Sequence, residues 1–496
     1  MVISIDRSSD TGGQPVYRQI AAQVRAEIEA GRLAAGDRLP TIRGLARTLG
    51  VNRDTVGLAY DELARSGLIE ATVGRGTFVR QAAVPSAGEA SFEPVLSPLV
   101  ERLLDFERAR VRYAGPAGTV PLHSLVPDPA LYPVDEFRRA LNQVLTENGG
   151  DLLRYGAAQG DATLRAALAA HLRDSGMDTS ADSITLTQGA SEGIVLALRL
   201  FATAGDTVAV EEPTYHNVLG SLAALGLRAA PVPMRDGEPD LAALEHVLER
   251  ADVKAFYTMP TFHNPLGTTT SLEHRRAVLA IAAAARKPVI EDAYEMDLRY
   301  AGKAVAPLAA LDTRGLVVQL FSFSKSLFPG ARVGAITARG HSVDALLALK
   351  HASDLGGSQL LQAAMAAFVA EGGYQRHLEK LRRALLSRCD AMLDALSREM
   401  PDGVRWTEPE GGLQLWVELP ASFDTADLLA DAVRAGVLFA PGFQFLHDRR
   451  PSSSLRLSLA LAGEDAIRRG VAALAGVVRE RLRSAPRRAV DERVSI

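Results

Sequence analysis

The chain has 496 residues, of which 47% are apolar and 23% charged, with a formal net charge of −4. That length calls for more than one hydrophobic core, and no apolar run approaches the roughly 20 residues of a membrane-spanning helix, so a membrane protein is excluded. A lone cysteine, Cys389, excludes an internal disulfide and a cysteine-built metal site, in keeping with a reducing compartment. The opening residues, MVISIDRSSD, lack a basic segment followed by an apolar one, so a cytoplasmic location is expected. Residues 1–80 hold 11 arginines against 9 acidic residues, an excess too small to decide by itself for a nucleic-acid partner.

Residues 15–80 predict three helices and a hairpin. Val16, Ile20, Val24 and Ile28 recur every four residues, and Gly31 ends that helix. A second helix starts near Thr41, buries Ile42, Leu45 and Leu49, and stops at Gly50. A third, from about Arg53, aligns Val56, Ala59, Tyr60 and Leu63 on one face. Only Gly50-Val51-Asn52 separates these two helices, the tight turn of a helix-turn-helix. Leu68–Thr72 and Thr77–Val79 suit two short strands joined by Val73-Gly74-Arg75-Gly76.

From Gln81 to about Gly118 the chain turns rich in Ala, Pro, Ser and Glu, and reads as a linker, helical around Leu99–Val111. Beyond Val120, strand-like runs (183–187, 207–210, 254–259, 288–290, 317–321) alternate with helical ones (191–202, 272–286), which predicts a largely parallel sheet covered by helices. Residues 340–396 are helical, and strands at 413–418 and 455–459 then mix with helices in a smaller α+β lobe.

Lysine is rare, occurring only at positions 254, 287, 303, 325, 350 and 380, and Lys325 alone lies off an obvious polar surface. It sits in VVQLFSFSKSLFPGARVG, after an apolar strand and before a Pro-Gly turn. Loss of solvation lowers an amine's pKa and frees it to attack a carbonyl. Local context fits that amine and an ordinary strand-end lysine equally.

The segment S-x-S-K followed by P-G-x-R-x-G resembles the cofactor-lysine segment of fold-type I pyridoxal-phosphate enzymes, the class I/II aminotransferases. The resemblance implies pyridoxal 5'-phosphate held by Lys325 as a Schiff base, with Ser322, Ser324 and Arg332 on its phosphate. In VIEDAYE it places Asp292 on the pyridinium nitrogen, keeping the ring an electron sink, and Tyr294 at the phenolic oxygen. Asn264 of PTFHNPLG would bond the same oxygen, and Tyr215 of EEPTYHN would stack on the ring. TLTQGASEG reads as a strand, a turn and a helix start, so the Ala190 and Ser191 amides with the Ser191 hydroxyl would face an anion. Tyr155 matches a position that reaches the phosphate of the neighbouring subunit, which implies a homodimer. Arg456 of SSSLRLSLA matches the arginine that grips the α-carboxylate of an amino-acid ligand, while His216 and Asn217 stand where a second arginine would follow Tyr215.

RLPTIRGLARTLGVNRDTVGLAYDELARSGLIEATVGRGTFV is similar to the winged helix-turn-helix of the GntR family. Its third helix would present Asn52, Arg53 and Thr55 to base edges, with Arg43 and Arg75 on the backbone or minor groove. Asp54 is expected to cap the helix or to accept from a cytosine amine.

The expected fold class is α/β, a winged helix-turn-helix (12–80) and a partly helical linker (81–118) before a fold-type I aminotransferase-like domain (119–480). Its large lobe spans about 150–340 and its small α+β lobe about 341–480. A GntR-type head on such a body resembles the MocR subfamily of bacterial regulators. That resemblance implies a transcription regulator whose body senses the cofactor, or the cofactor plus an amine or amino-acid effector, and whose head binds direct or inverted repeats in promoter DNA. The rival reading is a working aminotransferase with an accessory DNA-binding module. Nothing in the residues selects the effector, the target genes or the sign of regulation.

Overall fold

The structure is a computed structural model that describes residues 15–72, 76–80, 95–108, 111 and 115–484. The chain divides into two compact units, with the division between Val95 and Leu96.

The first unit holds α1 (Val16–Glu29), α2 (Ile42–Leu49), α3 (Arg53–Arg65), β1 (Ile69–Thr72) and β2 (Gly76–Val79). Its core is Ile20, Val24, Leu45, Val56, Ala59 and Leu63, side chains whose burial contributes roughly 1.5–3 kcal/mol for each large one. The Thr41 hydroxyl accepts from Gly44 N at 3.1 Å to start α2, and Gly50 ends it in the left-handed region at φ 64°. The Tyr60 hydroxyl donates to Pro40 O at 2.8 Å, tying α3 to the approach to α2. The two strands pair antiparallel, with Ile69 opposite Val79, and Arg38 adds a bridge to Phe78. Two expectations are corrected. Ile42, the first residue of α2, is 39% exposed and stands outside the core of this unit. The cap of α3 is Asn52, whose Oδ1 accepts from Asp54 N at 3.2 Å, and not Asp54, which already lies within the helix.

In the second unit, α4 (Pro98–Arg108) and the short strand β3 (Val120–Pro121) precede α5 (Val134–Asn148) and α6 (Ala162–Asp174). An eight-stranded sheet follows, built of β4 (Ile184–Thr187), β5 (Thr207–Glu212), β6 (Arg228–Arg235), β7 (Glu238–Pro239), β8 (Val253–Thr258), β9 (Val289–Asp292), β10 (Val317–Ser322) and β11 (Gly334–Thr337). Its spatial order is β4-β11-β10-β9-β8-β5-β6-β7. β10, β9, β8, β5 and β6 run parallel, in register with Leu320 opposite Asp292 and Thr258 opposite Glu291. β11 runs antiparallel to both its neighbours, since the chain from Ser322 to Gly334 is too short for the crossover a parallel strand needs. The central strands are buried on both faces, which is why they read as continuous apolar runs rather than alternating ones.

α7 (Ala190–Phe201) and α8 (His216–Ala224) each begin just beyond a strand's carboxyl end. A smaller antiparallel sheet, Arg405–Trp406, Gln414–Glu418, Ser454–Ser458 and Ala440–Pro441 in that order, packs with the long helices Gly373–Glu399 and Glu464–Ser484. α4, placed in the linker by composition, packs against α8 within this second unit. Among the described residues no helix is long and apolar enough to cross a membrane.

Candidate functional site

Parallel strands bring their carboxyl ends to one edge of a sheet, where loops converge on a crevice. β9 ends there at Asp292, β10 leads into Lys325, β8 into the Asn264 loop, β5 into Tyr215 and β4 into Ala190. Together they line a cavity of about 520 Å³. Ala190, Ser191, Tyr215, Asn264, Asp292, Tyr294, Ser322, Ser324, Lys325, Arg332 and Arg456 all face it, though they span 267 positions of the chain.

Asp292 is 1% exposed, and burial raises its carboxyl to about 6 even though the Tyr257 hydroxyl donates to its Oδ2 at 2.6 Å. Its Oδ1 is buried without a hydrogen-bond partner among the described residues. Such an atom costs about 1–3 kcal/mol unless something arrives to bond it. The Asn264 Nδ2 is likewise a buried donor without a partner, while its Oδ1 accepts from Arg456 Nη1 at 2.8 Å. Arg456 also donates through Nη2 to His123 O at 2.9 Å and lies 5.0 Å from the centre of the Phe445 ring. The Tyr215 and Tyr294 rings lie nearly parallel, their centres 6.4 Å apart, and Gln414 Nε2 donates to the Tyr294 hydroxyl at 3.2 Å.

Lys325 is half-buried and donates from Nζ to Leu125 O at 2.9 Å. Desolvation lowers its pKa, Glu295 opposes that shift, and the Arg456 and Arg332 guanidiniums add to it. Glu295 is wholly buried, and desolvation raises it to about 7 against the pull of Lys325.

The first residues of α7, Ala190 and Ser191, also line the cavity, and among the described residues no side chain caps that helix start. Gly189, at φ 79°, precedes it, and a Cβ there would stand 3.0 Å from the Arg332 guanidinium, so only glycine allows that approach. Arg332 is itself left-handed at φ 48° and donates through Nη2 to Gln188 O at 2.8 Å. Ser322 caps the turn that carries Lys325, accepting from Ser324 N at 3.1 Å. Helix amides, hydroxyls and a guanidinium thus converge where a phosphate would sit.

Tyr155 lies outside the cavity and is 85% exposed. In the first unit, Arg43, Asn52 and Arg53 are exposed and Thr55 half-buried on the surface around the start of α3, whereas Arg75 lies outside the described residues. Sequence reasoning missed Tyr257, His123, Leu125, Glu295, Gln414 and Phe445. Glu295 stands beside Tyr294 in the VIEDAYE segment already singled out, while the other five come from segments that matched no motif and meet the site only through the fold. It also singled out one lysine as off the polar surface, and that is corrected: Lys350 is 1% exposed, held by Glu192 and Asp354.

The two unsatisfied polar atoms, the amine and the anion cradle fit pyridoxal 5'-phosphate. Asp292 Oδ1 would accept a hydrogen bond from the protonated ring nitrogen, Asn264 Nδ2 would donate to the phenolic oxygen, and the cradle would hold the phosphate.

A family model described as "Aminotransferase class I and II" matches residues 126–474, and one described as "Bacterial regulatory proteins, gntR family" matches residues 16–79. The chain is 35% identical to aromatic-amino-acid aminotransferase 1 of Thermococcus litoralis over 72% of its own length and 87% of the relative's. With the probable rhizopine catabolism regulatory protein MocR of Rhizobium meliloti it shares 30% identity over 90% of each chain. The solved structure of LysN, the α-aminoadipate aminotransferase of Thermus thermophilus complexed with N-(5'-phosphopyridoxyl)-L-leucine, is similar at a TM-score of 0.70 and 30% identity, covering 78% of this chain and 96% of that one. A gntR-type head continuous with an aminotransferase class I and II body, matched along nearly its whole length by such a regulator, places this chain in the MocR group of GntR-type transcription regulators.

Proposed function

We propose that this chain is a cytoplasmic, dimeric transcription regulator that depends on pyridoxal 5'-phosphate and answers to an amine or amino acid taken up beside it. The observation that carries the reading is the junction, in one chain, of a gntR-type head with a body whose cavity is lined by the expected cofactor residues from Ala190 to Arg456. When bound, the cofactor supplies an aldehyde carbon for a primary amine and a ring that withdraws electrons. Lys325 holds that carbon, Asp292 keeps a proton on the ring nitrogen, and Arg332 with Ser191 and Ser324 anchors the phosphate. Arg456 orients a ligand carboxylate, as in the phosphopyridoxyl-leucine complex of LysN an amino acid joined to the cofactor occupies the related protein. Tyr155, exposed on one protomer, serves the phosphate site of its partner.

α4, at the start of the second unit, packs on α8, whose first residues His216 and Asn217 line the cavity. A ligand that favours one arrangement of α8 therefore shifts α4 and with it the heads. In the head, Arg53 at the start of α3 reads base edges while Arg43 takes a phosphate, on direct or inverted repeats of a promoter. The test is gel-shift and footprinting on DNA upstream of the gene, with and without pyridoxal phosphate and a panel of amines. Protection that ignores both ligands at every concentration would count against the reading.

Transamination is a second reading, favoured by the complete residue set and the likeness to the Thermococcus litoralis enzyme. Steady-state turnover at ordinary enzyme rates, without binding to promoter DNA, would establish it instead.

A further inference from the structure

We propose that Lys350 is a positioning residue for the cofactor phosphate, holding the turn that receives it through Glu192, Asp354 and Gln188. Resting on the cofactor reading above, the inference assigns a role to a buried ammonium that does not itself line the cavity.

Lys350, on the helix His341–Ser353, is 1% exposed. Its Nζ lies 3.0 Å from both oxygens of Glu192 and 2.5 Å from Asp354 Oδ2. Glu192 stands in the first turn of α7 and reaches back to accept from Gln188 N at 2.7 Å. The Gln188 side chain donates to Asp354 Oδ2 at 2.8 Å, and its carbonyl accepts from Arg332 Nη2 at 2.8 Å. Gln188, immediately before the Gly189-Ala190-Ser191 turn, is therefore gripped at its amide, its side chain and its carbonyl. Asp354 also accepts from Gly356 N at 3.0 Å. Burial alone would raise the Asp354 carboxyl, but the bonds from Lys350 and Gln188 hold it below its ordinary value.

Two consequences follow for an anion in the cradle. Lys350 offsets one of two carboxylates that would otherwise repel a phosphate dianion, and it fixes Glu192 and Asp354 so that the Gln188 carbonyl can orient Arg332. Both effects act on the phosphate and neither acts on the pyridine ring. An ion pair that merely packs His341–Ser353 onto α7 would favour no part of the cofactor.

The test compares the binding of pyridoxal 5'-phosphate and of pyridoxal to the full-length protein, followed by visible absorption. For Lys350→Met we expect the phosphorylated compound to bind at least tenfold more weakly, about 1.4 kcal/mol, with pyridoxal changed less than twofold. Lys350→Gln, which keeps hydrogen-bonding capacity should the methionine variant not fold, is expected to act alike, and Lys350→Arg to restore most of the preference. An unchanged ratio of the two affinities beside a normal wild-type preference overturns the role of Lys350 alone. A wild type that binds both compounds equally overturns the cofactor reading, and this inference with it.

Discussion

Arg456 Nη1 donates to the Asn264 side-chain oxygen at 2.8 Å, joining the residue placed to grip a ligand carboxylate to the one placed against the cofactor's phenolic oxygen. Arg456→Ala should remove one or two charged hydrogen bonds to an amino-acid ligand, about 3 kcal/mol or over a hundredfold in affinity. An amine of similar size without a carboxylate should lose far less. Titration of the holoprotein's visible absorption with the two ligands separates these outcomes.

Burial of Asp292 sets a pH dependence in the cofactor-free protein. Its folded pKa of about 6 lies above the ordinary 3.8, so its contribution to stability is full below pH 4 and is lost as pH rises through 6. The whole loss is about 3 kcal/mol, of which about 2 kcal/mol falls between pH 4.5 and 7.5, and Asp292→Asn should abolish it. Denaturant titrations of both apo proteins at pH 4.5 and 7.5 would measure it. If the difference between wild type and variant stays constant over that window, the carboxyl is not desolvated as described.

Asn52 has a structural duty in addition to any base contact. Asn52→Ala should destabilise the head by about 1 kcal/mol through loss of the α3 cap. Arg53→Ala, exposed and free of that duty, should leave the melting temperature unchanged while weakening DNA binding. Thermal melts alongside gel-shifts at two salt concentrations distinguish the two.

Phe106, on α4, sits under the Arg449 guanidinium, 3.9 Å from its ring centre, and against Gly220 of α8, where a Cβ would stand 3.1 Å from the ring. Phe106→Ala should leave cofactor affinity and basal DNA binding unchanged while diminishing the effect of an effector on DNA affinity. A full response in the variant would show that α4 does not carry the signal through this contact.

Lys325, Asp292, Asn264 and Ala190 could be read from the sequence because each lies at or just beyond a strand's carboxyl end, where an apolar run gives way to turn residues in a local pattern. Lys325's acceptor, Leu125, lies 200 residues away, and Tyr257 reaches Asp292 only because β8 and β9 are neighbours in the sheet. No periodicity records such meetings. The direction of β11 was equally hidden, since a short apolar run reads alike in either orientation.

Composition and local pattern thus determined which elements form and which chemical groups they carry: an amine, a carboxylate, a guanidinium pair and an exposed helix start. The tertiary structure decided the state of those groups. Desolvation raises Asp292 and lowers Lys325, and Lys350, one more lysine in the sequence, becomes a buried cation between two carboxylates. Burial depends on what distant segments cover, and that is settled only when the sheet assembles.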